Sequence, residues 1–195
     1  MKLKVNFISK LIQAKTQNEI IFVKNKNPKN NNLKTSLKAV LESKLFQEEL
    51  FVQKVSDNKN YIFVNCKQLV LSSDYENIGS KLFEYLNKNK IENSYIDIKN
   101  ININNIQLEK TIHGVKLKSY NFDIYKSDNK KNKIINLNII GEQKNKKNTI
   151  REKLDALLEG VFFARDLVSE PGNVLHPDEY TKRLLKLKKF GLKVK

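Results

Sequence analysis

Glu159-Gly-Val-Phe-Phe-Ala-Arg-Asp-Leu-Val-Ser-Glu-Pro-Gly-Asn-Val-Leu-His-Pro177 divides this chain in two. Upstream, Ile150, Leu154, Leu157, Leu158, Val161, Phe162 and Val168 recur at helical spacing, so a long helix with one apolar face runs into the quoted stretch. Thr149-Ile-Arg-Glu152 has the spacing of a capping box and is expected to open that helix. Pro171-Gly172 ends it, since proline offers no amide and turns the preceding residue away from helical angles. Pro177 suits the first position of a second helix, with Asp178 and Glu179 at its positive end, His176 as its cap and Gly191 closing it. Helix, rigid elbow and helix together form the kind of element that joins two domains.

Working outward, Leu3–Ile8, Glu19–Val23, Phe51–Val55, Tyr61–Val64, Ser94–Ile98, Phe122–Tyr125 and Lys133–Ile140 read as strands. The run Glu19-Ile-Ile-Phe-Val23 is continuously apolar, as in a strand covered on both faces. Leu33, Leu37, Val40, Leu41 and Leu45 give a helix. A second helix, with Ile78, Leu82, Phe83 and Leu86 on one face, opens at the capping box Ser73-Asp-Tyr-Glu76. Ile101 to Asn104 alternates like a strand, whereas Ile106 to Val115 fits a helix better. Lys24–Asn32, Asp57–Asn60, Lys126–Asn132 and Gly141–Asn148 are polar connections. Strands alternating with helices predict a three-layer α/β sandwich around a parallel or mixed sheet. Residues 1–147 form that domain, 148–170 the linking helix, and 171–195 the start of a second α/β domain that the chain does not complete. Tyr180, Leu184, Leu185 and Leu187 give this last piece an amphipathic face, and Leu192–Lys195 starts a strand.

The run Gly160 to Tyr180 resembles the domain junction of the leucyl (cytosol) aminopeptidase family, Gly-Val-x-x-Ala-Arg-Asp-Leu-Val-Asn-Glu-Pro-x-Asn-x-Leu-Thr-Pro. It departs at Ser169, where Asn is usual, and at His176, where Thr is usual. Upstream, Gly114-Val-Lys-Leu-Lys-Ser-Tyr-Asn-Phe-Asp-Ile-Tyr-Lys-Ser127 is similar to the family's Gly-x-x-Leu-x-Ser-Tyr-x-Phe-x-x-Tyr-Lys segment. The resemblance implies a macro-domain-like N-terminal sandwich followed by a catalytic domain. It also implies removal of N-terminal residues from peptides with two divalent metals, manganese or zinc, and assembly as a homo-hexamer. The family's metal ligands lie in its Asp-Ser-Gly-Gly and Asp-Ala-Glu-Gly segments, and neither occurs here. No residue of this chain is therefore assigned as catalytic, metal-binding or substrate-binding, and the chain alone is expected to be inactive.

The residues offer no other chemistry. His113 and His176 are the only histidines and lie far apart, and Cys66 is the only cysteine, so no zinc spacing and no internal disulfide framework exists. Cys66 ends an apolar run and reads as a small buried hydrophobe. His113, before Gly114 at an expected helix end, reads as an exposed or satisfied side chain. Arg165 and Asp166 read as makers of an interdomain salt bridge or hydrogen bond. The six glycines form no phosphate loop. The net charge of +16 allows weak, non-specific DNA binding and keeps a regulatory or assembly module as an alternative function. However, 34 of the 37 basic residues are lysine, and 26 asparagines accompany them, which suggests an A/T-rich coding sequence. No apolar run approaches the roughly 20 residues of a membrane-spanning helix, no signal-peptide core is present, and a lone cysteine suits the cytoplasm.

Overall fold

A computed structural model of the chain describes residues 2–9, 18–24, 50–56, 59–125, 133–141 and 148–194. Six strands among them, β1 (Lys2–Ile8), β2 (Asn18–Val23), β3 (Phe51–Ser56), β4 (Lys59–Asn65), β5 (Asn93–Asp97) and β6 (Ile134–Ile140), make one sheet in the order β1-β6-β5-β2-β4-β3. All neighbours are parallel except β3 and β4, which pair antiparallel from Phe51↔Val64 to Ser56↔Lys59. The sheet is therefore mixed, as expected. The β3–β4 connection is tighter than the sequence suggested, because Lys59 and Asn60 already belong to the ladder.

The apolar run of β2 is buried along its whole length. Ile20 and Phe22 point with Ile62, Val64, Ile96, Ile135, Leu137 and Ile139 into one core. The alternate residues Ile21, Val23 and Phe63 are buried on the opposite face. The polar start of β2 is bonded except at Asn18 Oδ1, which has no partner among the described residues. Glu19 accepts from the Tyr95 hydroxyl at 2.8 Å and from Asn100 Nδ2 at 3.0 Å, and Asn18 Nδ2 donates to Asn93 O.

Helices α1 (Ser72–Lys88) and α2 (Asn105–Lys118) cover the first face with Tyr75, Ile78, Leu82, Leu86, Leu108, Ile112 and Val115. Two glycines let them touch backbone to backbone. A Cβ on Gly79 would stand 2.0 Å from the Thr111 carbonyl oxygen, and one on Gly114 would stand 1.9 Å from that of Glu76. The expected Ser73–Glu76 capping box is replaced by Asp74, whose carboxylate accepts from the amides of Val70 and Leu71. The ambiguous 101–118 stretch resolves as a helix because Asn104 and Gln107 cap each other reciprocally, both bonds at 2.9 Å.

Helix α3 (Thr149–Ser169) forms over the stretch expected to be the linking helix. Asn148, rather than Thr149, is its cap, accepting from Arg151 N at 3.2 Å. Helix α4 (Pro177–Leu185) follows the elbow and continues as a 3-10 turn, Lys186–Phe190, closed by Gly191 at φ 82°. His176 holds the cap position, but its side chain makes no capping bond.

Two expected strands do not form. Phe122 to Tyr125 is irregular and ends in a turn; the Phe122 and Tyr125 rings meet, the Tyr125 hydroxyl bonds Glu170, and the segment joins no ladder among the described residues. Leu192 to Val194 is irregular and pairs with no strand among the described residues. The helix expected over Leu33–Leu45 and the connections Lys24–Asn32, Lys126–Asn132 and Gly141–Asn148 fall wholly or mostly outside the described residues.

Candidate functional site: a clasp at the linking helix

Helix α3 fully buries only Leu154, with Leu158, Val161, Phe162, Phe163 and Leu167 half-buried, so its apolar stripe is a thin hold on the sandwich. Leu157 and Val168, expected on that stripe, are 55% and 87% exposed. A row of polar bonds adds to that hold. At the N-terminal end Arg151 forks onto Glu109, with Nε to Oε2 at 3.1 Å and Nη2 on Oε1, while its guanidinium lies 3.5 Å above the Phe7 ring. Asn148 Nδ2 adds a third donor to the buried Glu109 carboxylate at 3.0 Å. Lys116 reaches Asp155 one turn further along.

Near the C-terminal end, Arg165 Nη1 donates to the Leu117 carbonyl at 2.9 Å and sits over Tyr120. The Tyr120 hydroxyl donates to Asp166 Oδ1 at 2.8 Å, and its ring meets Phe162 at 5.1 Å. Tyr125 donates to Glu170, which also accepts from Arg183 Nη1 at 2.9 Å, and Arg183 Nε donates to Glu179. Arg165 and Asp166 are thus not bonded to each other; each reaches back to the sandwich. Residues 114–125 and 160–170, some 45 positions apart, meet as one clasp.

Electrostatics agree with a holding role. The Tyr120 hydroxyl is pushed up by desolvation and by its bond to Asp166. Glu170 is held below the usual carboxylate range by its bonds from Tyr125 and Arg183. Beside the clasp, Asn77, Ser80, Gly114, Lys118, Tyr120 and Arg165 line a cleft of about 470 Å³ between α1, α2 and α3. The carboxylate at its edge, Glu76, is penalised by burial, but bonds from Lys110 and His113 hold it low.

His113 is neither exposed nor at a helix end. It is buried inside α2, its Nδ1 3.0 Å from Glu76 Oε1 and its Nε2 without a partner among the described residues. Cys66 is fully buried, and that burial pushes its thiol up to about 12, so it is no nucleophile. Among the described residues no three His, Cys, Asp or Glu side chains group as metal ligands. The carboxylates that do cluster already face lysine, arginine or histidine. The described residues do not fit a two-metal centre.

No family model matches the chain. It is 34% identical over 105 residues to a probable cytosol aminopeptidase of Phytoplasma mali, covering 51% of this chain and 21% of that protein. It is 36% identical over 83 residues to one of Gluconobacter oxydans, covering 42% and 17%. A mutant of tomato leucine aminopeptidase superposes at TM-score 0.64 and 16% identity over 97% of this chain and 42% of that one. The chain matches the N-terminal region of the leucyl aminopeptidase family. The bottromycin maturation enzyme BotP in complex with Mn shares the fold at TM-score 0.59 and 13% identity, over 91% of this chain and 37% of that one. The chain spans about a fifth of the length of the curated relatives it matches.

The sequence singled out Arg165 and Asp166 but missed Tyr120, Tyr125, Glu170 and Arg183 as their companions. The signal was present: both segments that carry the resemblance contain clasp residues.

Proposed function

We propose that the chain is the N-terminal portion of a leucyl-type metallo-aminopeptidase, an enzyme that removes N-terminal amino acids from peptides with two divalent metals, manganese or zinc. The metal ligands and the peptide site then belong to residues other than these 195. On this reading 1–147 is the N-terminal α/β domain, 148–170 the linking helix and 171–195 the beginning of the peptidase domain. The whole protein is a cytoplasmic homo-hexamer, and the chain by itself hydrolyses nothing.

The observation that carries the reading is the clasp, because the two segments similar to the family's sequence are the two that meet in space. The exposed apolar side chains beyond it, Phe190 at 64% and Leu192 at 55%, support a further body packed there, since such groups gain by being covered. The test is release of leucine from a chromogenic leucine anilide with manganese or zinc present. We expect none from the chain alone, and activity when a separately expressed peptidase domain associates with it. Chelator-sensitive release by these 195 residues alone would overturn the reading.

The charge of +16 favours a second reading, a module that binds DNA non-specifically. Binding through lysines must weaken steeply with salt, because releasing counterions gains less free energy as the bulk concentration rises. Affinity that hardly changes between low and physiological salt removes this reading.

A further inference from the structure

Helix α4 has no buried residue, so apolar packing does not set its direction. The loop before it is closed by Val174 N and Leu175 N donating to the Pro171 carbonyl, and a Cβ at Gly172 would meet nothing. The side-chain link from α4 back across the elbow runs from Arg183 to Glu170. The Glu170 side chain is only 5% exposed although it sits at a helix end, and its second oxygen is taken by Tyr125 from the sandwich. One carboxylate therefore touches three bodies: its own linking helix, the 114–125 segment and α4.

We propose that Glu170 is the positioning residue of the elbow, fixing the direction in which α4 and the chain after it leave the sandwich. The geometry suits the task. A guanidinium that also bonds Glu179, one turn away on its own helix, is held as a fork rather than a free point charge, and so transmits direction. The inference does not depend on the aminopeptidase reading, because it concerns orientation within the 195 residues and its test measures no activity.

The test is a distance measurement by pulsed electron resonance on the full chain, with spin labels at Glu159→Cys on α3 and Lys188→Cys beyond α4. Both sites are exposed, and the buried Cys66 stays unlabelled. The parent is expected to give one narrow distance. Glu170→Gln and, separately, Arg183→Gln are expected to widen the distribution roughly twofold while the sandwich melts within a few degrees of the parent, since only a local contact is lost. An unchanged distribution in Glu170→Gln overturns the proposal. So does a widening that comes only with a large fall in melting temperature, which would make Glu170 a general stabiliser. If Glu170→Gln does not fold, Tyr125→Phe, which removes one hydroxyl, must still widen the distribution; no change there also overturns the proposal.

Discussion

Arg151→Met removes the guanidinium from Glu109 and keeps a side chain long enough to lie on Phe7. The Glu109 side chain is 1% exposed, so its carboxylate is left out of water with a single donor among the described residues, Asn148 Nδ2. Breaking one side of a buried ion pair costs about 3–5 kcal/mol because the remaining charge is uncompensated. Arg151 is itself 17% exposed, so some water can reach the vacated place, and the lower end, about 3 kcal/mol, is the expected loss. At about 2–4 °C per kcal/mol for a domain of this size, the melting midpoint falls by about 6–12 °C. Urea unfolding followed by circular dichroism measures the free energy directly. Adding Glu109→Gln to Arg151→Met removes the stranded charge and should recover at least about 2 kcal/mol, since a neutral pair replaces a broken ionic one. An Arg151→Met chain within about 1 kcal/mol of the parent, or a double variant as unstable as the single one, would refute the buried-charge account.

Four further outcomes follow from the same structure. Gly114→Ala drives a methyl into the Glu76 carbonyl, a backbone atom that cannot move alone; the α1–α2 crossing must open, at a cost of about 3 kcal/mol in the urea transition. Gly160→Ala on the exposed side of α3 meets nothing and should stabilise by about 0.5–1 kcal/mol, so the two glycines act as each other's control. Burial lifts the Cys66 thiol from 9.0 to about 12, so the unfolded chain loses its proton first; stability falls as pH climbs through that window, and Cys66→Ala removes this part of the fall in pH-dependent melting curves. Glu76 is shifted the opposite way, below 4.5 by Lys110 and His113 despite burial. Its contribution is present above 4.5 and lost as pH falls through the folded value, so Glu76→Gln should flatten the acid limb of the same curves.

Period and continuity of apolar residues made most elements legible. Ile20-Ile21-Phe22-Val23 could only be a doubly covered strand, and Ile78, Leu82 and Leu86 only the inner face of a helix. Caps were legible to within a residue or two, because several short polar side chains compete at each helix start and the spacing does not choose among them. Asp74 and Asn148 prevailed over Ser73 and Thr149 for that reason. Phe122 to Tyr125 was misread because aromatic residues favour strands, and only tertiary structure showed these rings working sideways. The clasp itself was beyond local reading. Tyr120 and Asp166 are 46 positions apart, and hydrogen bonds of that separation leave no periodic trace.

The arginines tell which of those bonds matter most. In a chain whose basic residues are otherwise lysine, Arg151, Arg165 and Arg183 all sit on the linking helix or the helix after it. Each does something an ammonium does poorly. Arg151 makes two bonds to one carboxylate and stacks on Phe7, Arg165 donates to a carbonyl while lying over Tyr120, and Arg183 spans two carboxylates with separate nitrogens. Lysine also reaches this seam, where Lys116 meets Asp155 through a single charged nitrogen, but most lysines need only supply charge to solvent, where an ion pair contributes little. The three planar forks stand where orientation, rather than charge, is what the fold requires. That places the structural purpose of this region along α3 and its elbow, and it explains why a helix with one buried residue is nonetheless held at both ends.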